Sequence, residues 1–207
     1  MKELERRSYA FDIGTNDGST LVGRPIVYGS RTNMDYYDEI IEQGALDKTD
    51  LKDVRFLVNH DLSRIPLARS RRNNASSTMN LMPDDKGMAI KVRLDTENNA
   101  DARALYSAVE RGDISGMSFM FSIGDEEWEG LDTEHPTRHI RSISSVAEVS
   151  AVTFPAYEDT DIQARSKAAV ETARSAVETA RQESKKSVET DLELELEKEK
   201  AKLLGGI

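Results

Sequence analysis

Apolar and polar residues alternate in short β-like runs as far as Pro155, after which a seven-residue rhythm takes over, so the pattern predicts a strand-rich body followed by a helix. Ser8 to Ile13 and Gly18 to Tyr28 are β-prone, and Thr15-Asn16-Asp17-Gly18 has tight-turn chemistry, which predicts an early hairpin. Tyr36, Tyr37, Ile40 and Ile41 fall at helical spacing and Gly44 supplies a left-handed stop, so a short helix is expected over 36–42. From Leu51 to His60 the period returns to two. Val54, Phe56, Val58 and His60 share one strand face, and Arg55, Leu57, Asn59 and Asp61 the other.

Met79 to Leu94 reads as a second hairpin, turning at Pro83-Asp84-Asp85-Lys86-Gly87. Asn98 or Asn99 caps a helix whose stripe is Ala102, Leu105, Ala108 and Val109, with Gly112 as its stop. Met117 to Ile123 alternates again, with Phe119, Phe121 and Ile123 on one face and Ser118, Met120 and Ser122 on the other. Gly116 just before it permits close backbone approach. The acidic stretch Gly124 to Arg138, with Gly130 and Pro136, is expected to be an exposed loop. Ile140 to Phe154 predicts a long strand, broken near Ser144-Ser145, that sets Glu148 among Val146, Ser150, Val152 and Phe154 on one face. A carboxylate in such company demands a partner.

Beyond Pro155, Ala169-Val170-Glu171-Thr172-Ala173-Arg174 is nearly copied by Ala176-Val177-Glu178-Thr179-Ala180-Arg181. That spacing makes a narrow seam of small apolar residues. With a charge-rich finish from Glu183 to Lys202, it predicts a helix that is weak alone and docks on a partner or self-associates, ending in a frayed Leu203-Leu204-Gly205-Gly206-Ile207. The chain thus divides into a body, 1–163, and a helical tail, 164–207.

Composition narrows the function. A chain of 207 residues with no cysteine has no disulfide, no thiolate nucleophile and no thiolate metal site. A net charge of −10 repels phosphate backbones, and the cluster Arg64, Arg69, Arg71 and Arg72 reads as a solvated loop, so nucleic acid is not an expected partner. No apolar run has the length of a membrane span, and the N-terminus lacks a secretory signal, which points to the cytoplasm. His135 and His139 have the spacing of helical metal ligands, but Pro136 between them argues for a surface loop, and no metal or cofactor is expected.

The chemistry concentrates in His60, Ser118 and Glu148. A serine and a histidine that meet supply a nucleophile and a general base, the minimum for acyl transfer. Each has an ordinary structural role when taken alone.

Several pieces then occur together in order: Gly23-Arg24-Pro25-Ile26-Val27-Tyr28, Glu39-Ile40 with Gly44-Ala45-Leu46, Asn59-His60-Asp61, Asp84-Asp85-Lys86-Gly87-Met88, Gly112 with Gly116-Met117-Ser118-Phe119-Met120-Phe121, and Ala147-Glu148-Val149-Ser150-Ala151-Val152-Thr153-Phe154-Pro155-Ala156. In these pieces the chain resembles the prohead, or capsid-maturation, serine proteases of tailed bacteriophages, relatives of the herpesvirus assembly proteases. The resemblance covers roughly residues 8 to 160.

It implies an α+β fold, a closed or nearly closed, mainly antiparallel β-barrel flanked by a few helices. It implies Ser118 as nucleophile, His60 as general base and Glu148 as the residue orienting the imidazole, with Asp61 as the local rival for that last role. Oxyanion donors could come from the loop after Glu148 or from near Ser118. Ala68 stands where members often carry glycine. The implied activity is a serine endopeptidase that cleaves scaffold or major capsid protein precursor, and itself, inside the procapsid in the bacterial cytoplasm. The herpesvirus relatives are activated by dimerisation, so a second copy of the chain is among the partners the resemblance offers. The rival readings are a non-enzymatic, scaffold-like assembly factor working through its tail, and a generic β-rich binding module.

Overall fold

A computed structural model describes residues 4–9, 13–153 and 167–204 of the chain. Eleven strands and two helices are assigned among them: β1 (Glu5–Tyr9), β2 (Ile13–Asn16), β3 (Thr20–Val27), β4 (Arg31–Asn33), β5 (Asp38–Ile41), β6 (Asp53–Val58), β7 (Ala68–Arg71), β8 (Met79–Asp84), β9 (Gly87–Arg93), α1 (Ala100–Glu110), β10 (Gly116–Glu129), β11 (Thr137–Val152) and α2 (Lys167–Leu204). One sheet runs β1-β10-β11-β5-β4, with β6 pairing both β11 and β7, and a second runs β2-β3-β9-β8.

Local chemistry accounts for the second sheet. Asp17 (φ 56) and Gly18 (φ 75) turn β2 into β3 through two left-handed residues, as a tight hairpin requires. The β3–β9 ladder shifts register between Gly23 and Ile26, where Pro25 has no N–H to give. Gly87 (φ +132) begins β9, and a Cβ there would lie 2.1 Å from the Ile26 carbonyl oxygen, so only glycine fits. The inward faces, with Leu21, Ile26, Met88, Ile90 and Val92, join Phe56, Phe119, Phe121 and Val149 of the first sheet in one apolar core.

The helix after this sheet forms as the pattern predicts. Asn99 caps α1 by accepting from the Asp101 and Ala102 amides, Ala102, Leu105 and Val109 are buried, and Gly112 is left-handed just beyond Arg111.

Five expectations are corrected. The barrel is not closed: both sheets are open among the described residues. At the corner between β7 and β8 the Thr78 amide donates to the Arg69 carbonyl at 3.0 Å while the Arg69 amide turns to the Thr78 hydroxyl at 2.9 Å, and no ladder carries one sheet into the other. The segment 36–42 is not a helix but contains β5, because backbone pairing with β11 outweighs a short 3.6-residue coincidence. Gly44 is nonetheless left-handed, at φ +85.

The acidic stretch from Gly124 is largely exposed, yet β10 continues through it to Glu129 and β11 begins at Thr137, without a break at Ser144-Ser145. Part of the arginine cluster is likewise a strand: Arg69 in β7 pairs with Asp53 at 2.5 and 2.6 Å. Phe154, Pro155, the boundary at 163/164 and Gly205-Gly206-Ile207 lie outside the described residues.

The chain forms two compact units. The first holds the described parts of Met1–Thr32, Ile40–Glu127 and His139–Asp161, and the second those of Asn33–Glu39, Trp128–Arg138 and Ile162–Ile207. In the second, the α2 seam Ala173 and Val177 packs with Tyr37, Met34 and Trp128, whose ring meets that of Tyr37 edge-on at 5.0 Å. Arg181 anchors the same helix by donating to the Leu131 and Thr133 carbonyls at 3.0 and 2.6 Å. From residue 182 to 200 every residue of α2 is exposed.

Candidate active site

Three strands of the first unit, side by side, carry the predicted site. β10 pairs with β11, and β11 pairs in parallel with β6 in the register Glu148↔Arg55 and Ser150↔Leu57. Ser118 lies in β10, Glu148 in β11, and His60 two residues past the end of β6.

Strand alternation does not carry His60 to its place. Asn59 (φ 52) and His60 (φ 59) are consecutive left-handed residues, a conformation that costs roughly 1–2 kcal/mol each for non-glycine residues. The end of β11 holds them. The Asn59 amide donates to the Ala151 carbonyl at 3.0 Å, its side-chain amide donates to the Thr153 hydroxyl at 2.8 Å, and the His60 amide donates to the Ser150 hydroxyl at 3.0 Å. Asparagine tolerates this backbone better than most residues, which is the local reason Asn59 precedes the histidine.

The turn aims the imidazole between the other two side chains. His60 Nε2 lies 2.5 Å from Ser118 Oγ, and His60 Nδ1 lies 2.6 Å from Glu148 Oε2. All three are secluded: Ser118 is fully buried, Glu148 is 1% exposed and the His60 side chain 9%. A buried carboxylate is tolerable only with its hydrogen bonds made. Glu148 has His60 on one oxygen and the Ser150 hydroxyl donating to the other.

Asp61 does not compete for the histidine. It is exposed, and the Ser63 hydroxyl and amide, with Arg64 beside them, hold its carboxyl below the ordinary carboxylate value. His135 and His139 are tied elsewhere, to Asp38 at 3.0 Å and to Glu42 at 2.6 Å.

Ser150 is the member that sequence reasoning missed. It is fully buried, donates to Glu148 Oε1 and accepts from the His60 amide, so one hydroxyl fixes both the carboxylate and the backbone of the histidine turn. The signal was the shared face of Glu148 and Ser150, two residues apart on a strand. A pocket of about 300 Å³ adjoins the site, with Leu57, Leu62, Pro66, Met120 and Glu148 in its wall.

Chemically, a hydroxyl, an imidazole and a carboxylate in linear hydrogen-bonded order can move a proton off the hydroxyl while the carboxylate steadies the resulting imidazolium.

Comparison with known proteins points the same way. The model of the family described as caudovirus prohead serine protease matches residues 2–175. The prohead protease of Enterobacteria phage HK97 is 28% identical over 135 residues, which is 64% of this chain and 55% of that relative. The chain therefore spans about half the length of the curated relative it matches. No solved structure matches it.

Proposed function

This chain belongs to the caudovirus prohead serine protease family, and on that premise we propose that it is a serine endopeptidase in which Ser118 is the nucleophile, His60 the general acid–base and Glu148 the orienting carboxylate. The observation that carries this reading is the continuous hydrogen-bonded series from Ser118 Oγ through both ring nitrogens of His60 to Glu148.

Glu148 accepts the Nδ1 proton of His60, which leaves the Nε2 lone pair facing Ser118. Ser118 Oγ attacks the carbonyl carbon of the scissile peptide bond as its proton passes to Nε2. The tetrahedral intermediate collapses when the C–N bond breaks and Nε2 returns that proton to the leaving amine, which produces an acyl-Ser118 ester. Water, losing a proton to Nε2, then attacks the ester carbonyl. Ser118 leaves with that proton and the new carboxyl terminus departs. Glu148 stays ionised throughout and stabilises the imidazolium at each turn.

The substrates, on this reading, are the major capsid protein precursor or scaffold and the chain itself, cut inside the procapsid in the bacterial host. Residues 1–163 carry the peptidase, and 164–207 an appended helix that joins the protease to assembling scaffold and is later trimmed. The exposure of α2 from 182 to 200, including Leu192, Leu194 and Leu196, supports that role for the tail. Co-expression with the capsid precursor of the same phage tests the activity: the precursor shortens with the wild type and stays intact with Ser118→Ala. A precursor processed equally by both proteins would contradict the proposal and leave the non-enzymatic readings.

A further inference from the structure

Resting on the reading of Ser118 as nucleophile, we infer that β1 is a resident occupant of the substrate-strand site, and that an extended peptide reaches Ser118 by taking the place of β1 along β10. Among the described residues β1 is the terminal strand of its sheet, and it pairs antiparallel with β10 in the register Arg6↔Met120, Arg7↔Phe119 and Ser8↔Ser118. Its backbone therefore runs directly beside the nucleophile.

The Arg7 carbonyl accepts a hydrogen bond from Ser118 Oγ at 2.8 Å, and Ser118 is left with no exposed surface. A peptide bond about to be attacked must lie extended within that same reach of Oγ. Arg7 and Ser8 already fill the place. The contact has a second effect, because the one hydroxyl proton of Ser118 has two acceptors within reach, the Arg7 carbonyl at 2.8 Å and His60 Nε2 at 2.5 Å from the same oxygen. The resident strand thus both covers the serine and competes with the base for its proton.

The way β1 is held also says what a replacement must offer. Five paired positions and the Arg7 guanidinium over the Phe121 ring, 5.5 Å from its centroid, fasten the strand. Leu4, just before β1, contributes to the wall of the pocket that Leu57, Leu62, Pro66 and Met120 line beside Glu148. The ligand class is accordingly an extended peptide that pairs with the β10 edge and sets an apolar side chain three residues before the one whose carbonyl meets Ser118. Short terminal strands open more readily than central ones, so exchange does not require the sheet to unfold.

The absence of cysteine from the chain allows a clean test. Arg6→Cys together with Met120→Cys places a disulfide across opposite residues of β1 and β10. The rate at which a fluorophosphonate labels Ser118 is followed by mass spectrometry in the oxidised and reduced forms of this one protein. Labelling is expected to be at least about 10-fold slower in the oxidised form. A variant lacking residues 1–9 is expected to label faster than the full chain, and a synthetic peptide of residues 1–9 to slow it again, less so when the peptide carries Leu4→Asp. Equal rates for the oxidised and reduced clamp overturn the inference while leaving Ser118 as nucleophile. If neither the reduced clamp nor the full chain ever labels at Ser118, the reading of the site falls and the inference with it.

Discussion

Ser150 donates its hydroxyl to Glu148 from two positions further along the same strand, and the same oxygen accepts the His60 amide. The Glu148 carboxylate and the left-handed turn that carries His60 are therefore set by one buried side chain. Ser150→Ala is expected to lower kcat roughly 10-fold with little change in KM, in proportion to the loss of a hydrogen bond to a charged group. Glu148→Gln, which keeps shape and removes charge, is expected to cost about 10^2- to 10^4-fold in kcat. Steady-state kinetics on a cleavable peptide separates the two, and an unaffected Glu148→Gln enzyme would deny the carboxylate its role.

Ser118→Ala and His60→Ala are each expected to reduce peptide cleavage by at least about 10^4-fold, and the double variant no further than the worse single one, because the groups act as a unit. Thermal melts should show both singles still folded. Additive losses in the double variant would mean that the two residues act independently.

Much of this was legible along the chain. The cap, stripe and stop of α1 are local signals, and the helix formed from Asn99 to Gly112 as they dictate. The two hairpins followed from turn residues that only certain backbones accept, Asp17-Gly18 in one and Gly87 in the other. The three candidate residues could be named, but their meeting could not be read from alternation. The consecutive left-handed residues Asn59 and His60 are stabilised by Ala151, Ser150 and Thr153, some ninety positions away, and no local pattern announces such contacts. The same tertiary influence set β5 within the helix-spaced residues 36–42, paired between β11 and β4, and carried β10 to Glu129 through a largely exposed acidic stretch.

Asp84 gives a prediction in pH. Arg24 grips both its oxygens at 2.6 and 2.5 Å and, with the Lys86 amide, lowers its pKa from 3.8 to about 2. A carboxylate with a depressed folded-state pKa adds stability that is complete above its unfolded value and is lost as pH falls through the folded one. Asp84→Asn should therefore melt lower than the wild type near neutral pH, and the gap should close between pH 3.8 and about 2. Raising the salt concentration should narrow the gap as well, since the pair is partly exposed. Melting curves that stay separated at the acidic end would refute this.

Trp128 is the single tryptophan of the chain and packs with Tyr37 and the Val177 seam of α2. Val177→Asp buries a charge on that seam and forfeits the roughly 2 kcal/mol that burying a valine provides. The expected outcome is a red shift of Trp128 emission as the ring meets water. Emission identical to the wild type would show that the seam does not hold the helix.

The most direct measurement is tandem mass spectrometry of the full chain after long exposure to a fluorophosphonate, beside Ser118→Ala and His60→Ala. One covalent adduct is expected, on Ser118, absent from the Ser118→Ala protein and strongly slowed in His60→Ala. Adducts scattered over other serines, or a folded wild-type chain with none on Ser118, would contradict the assignment of a nucleophile activated by its histidine.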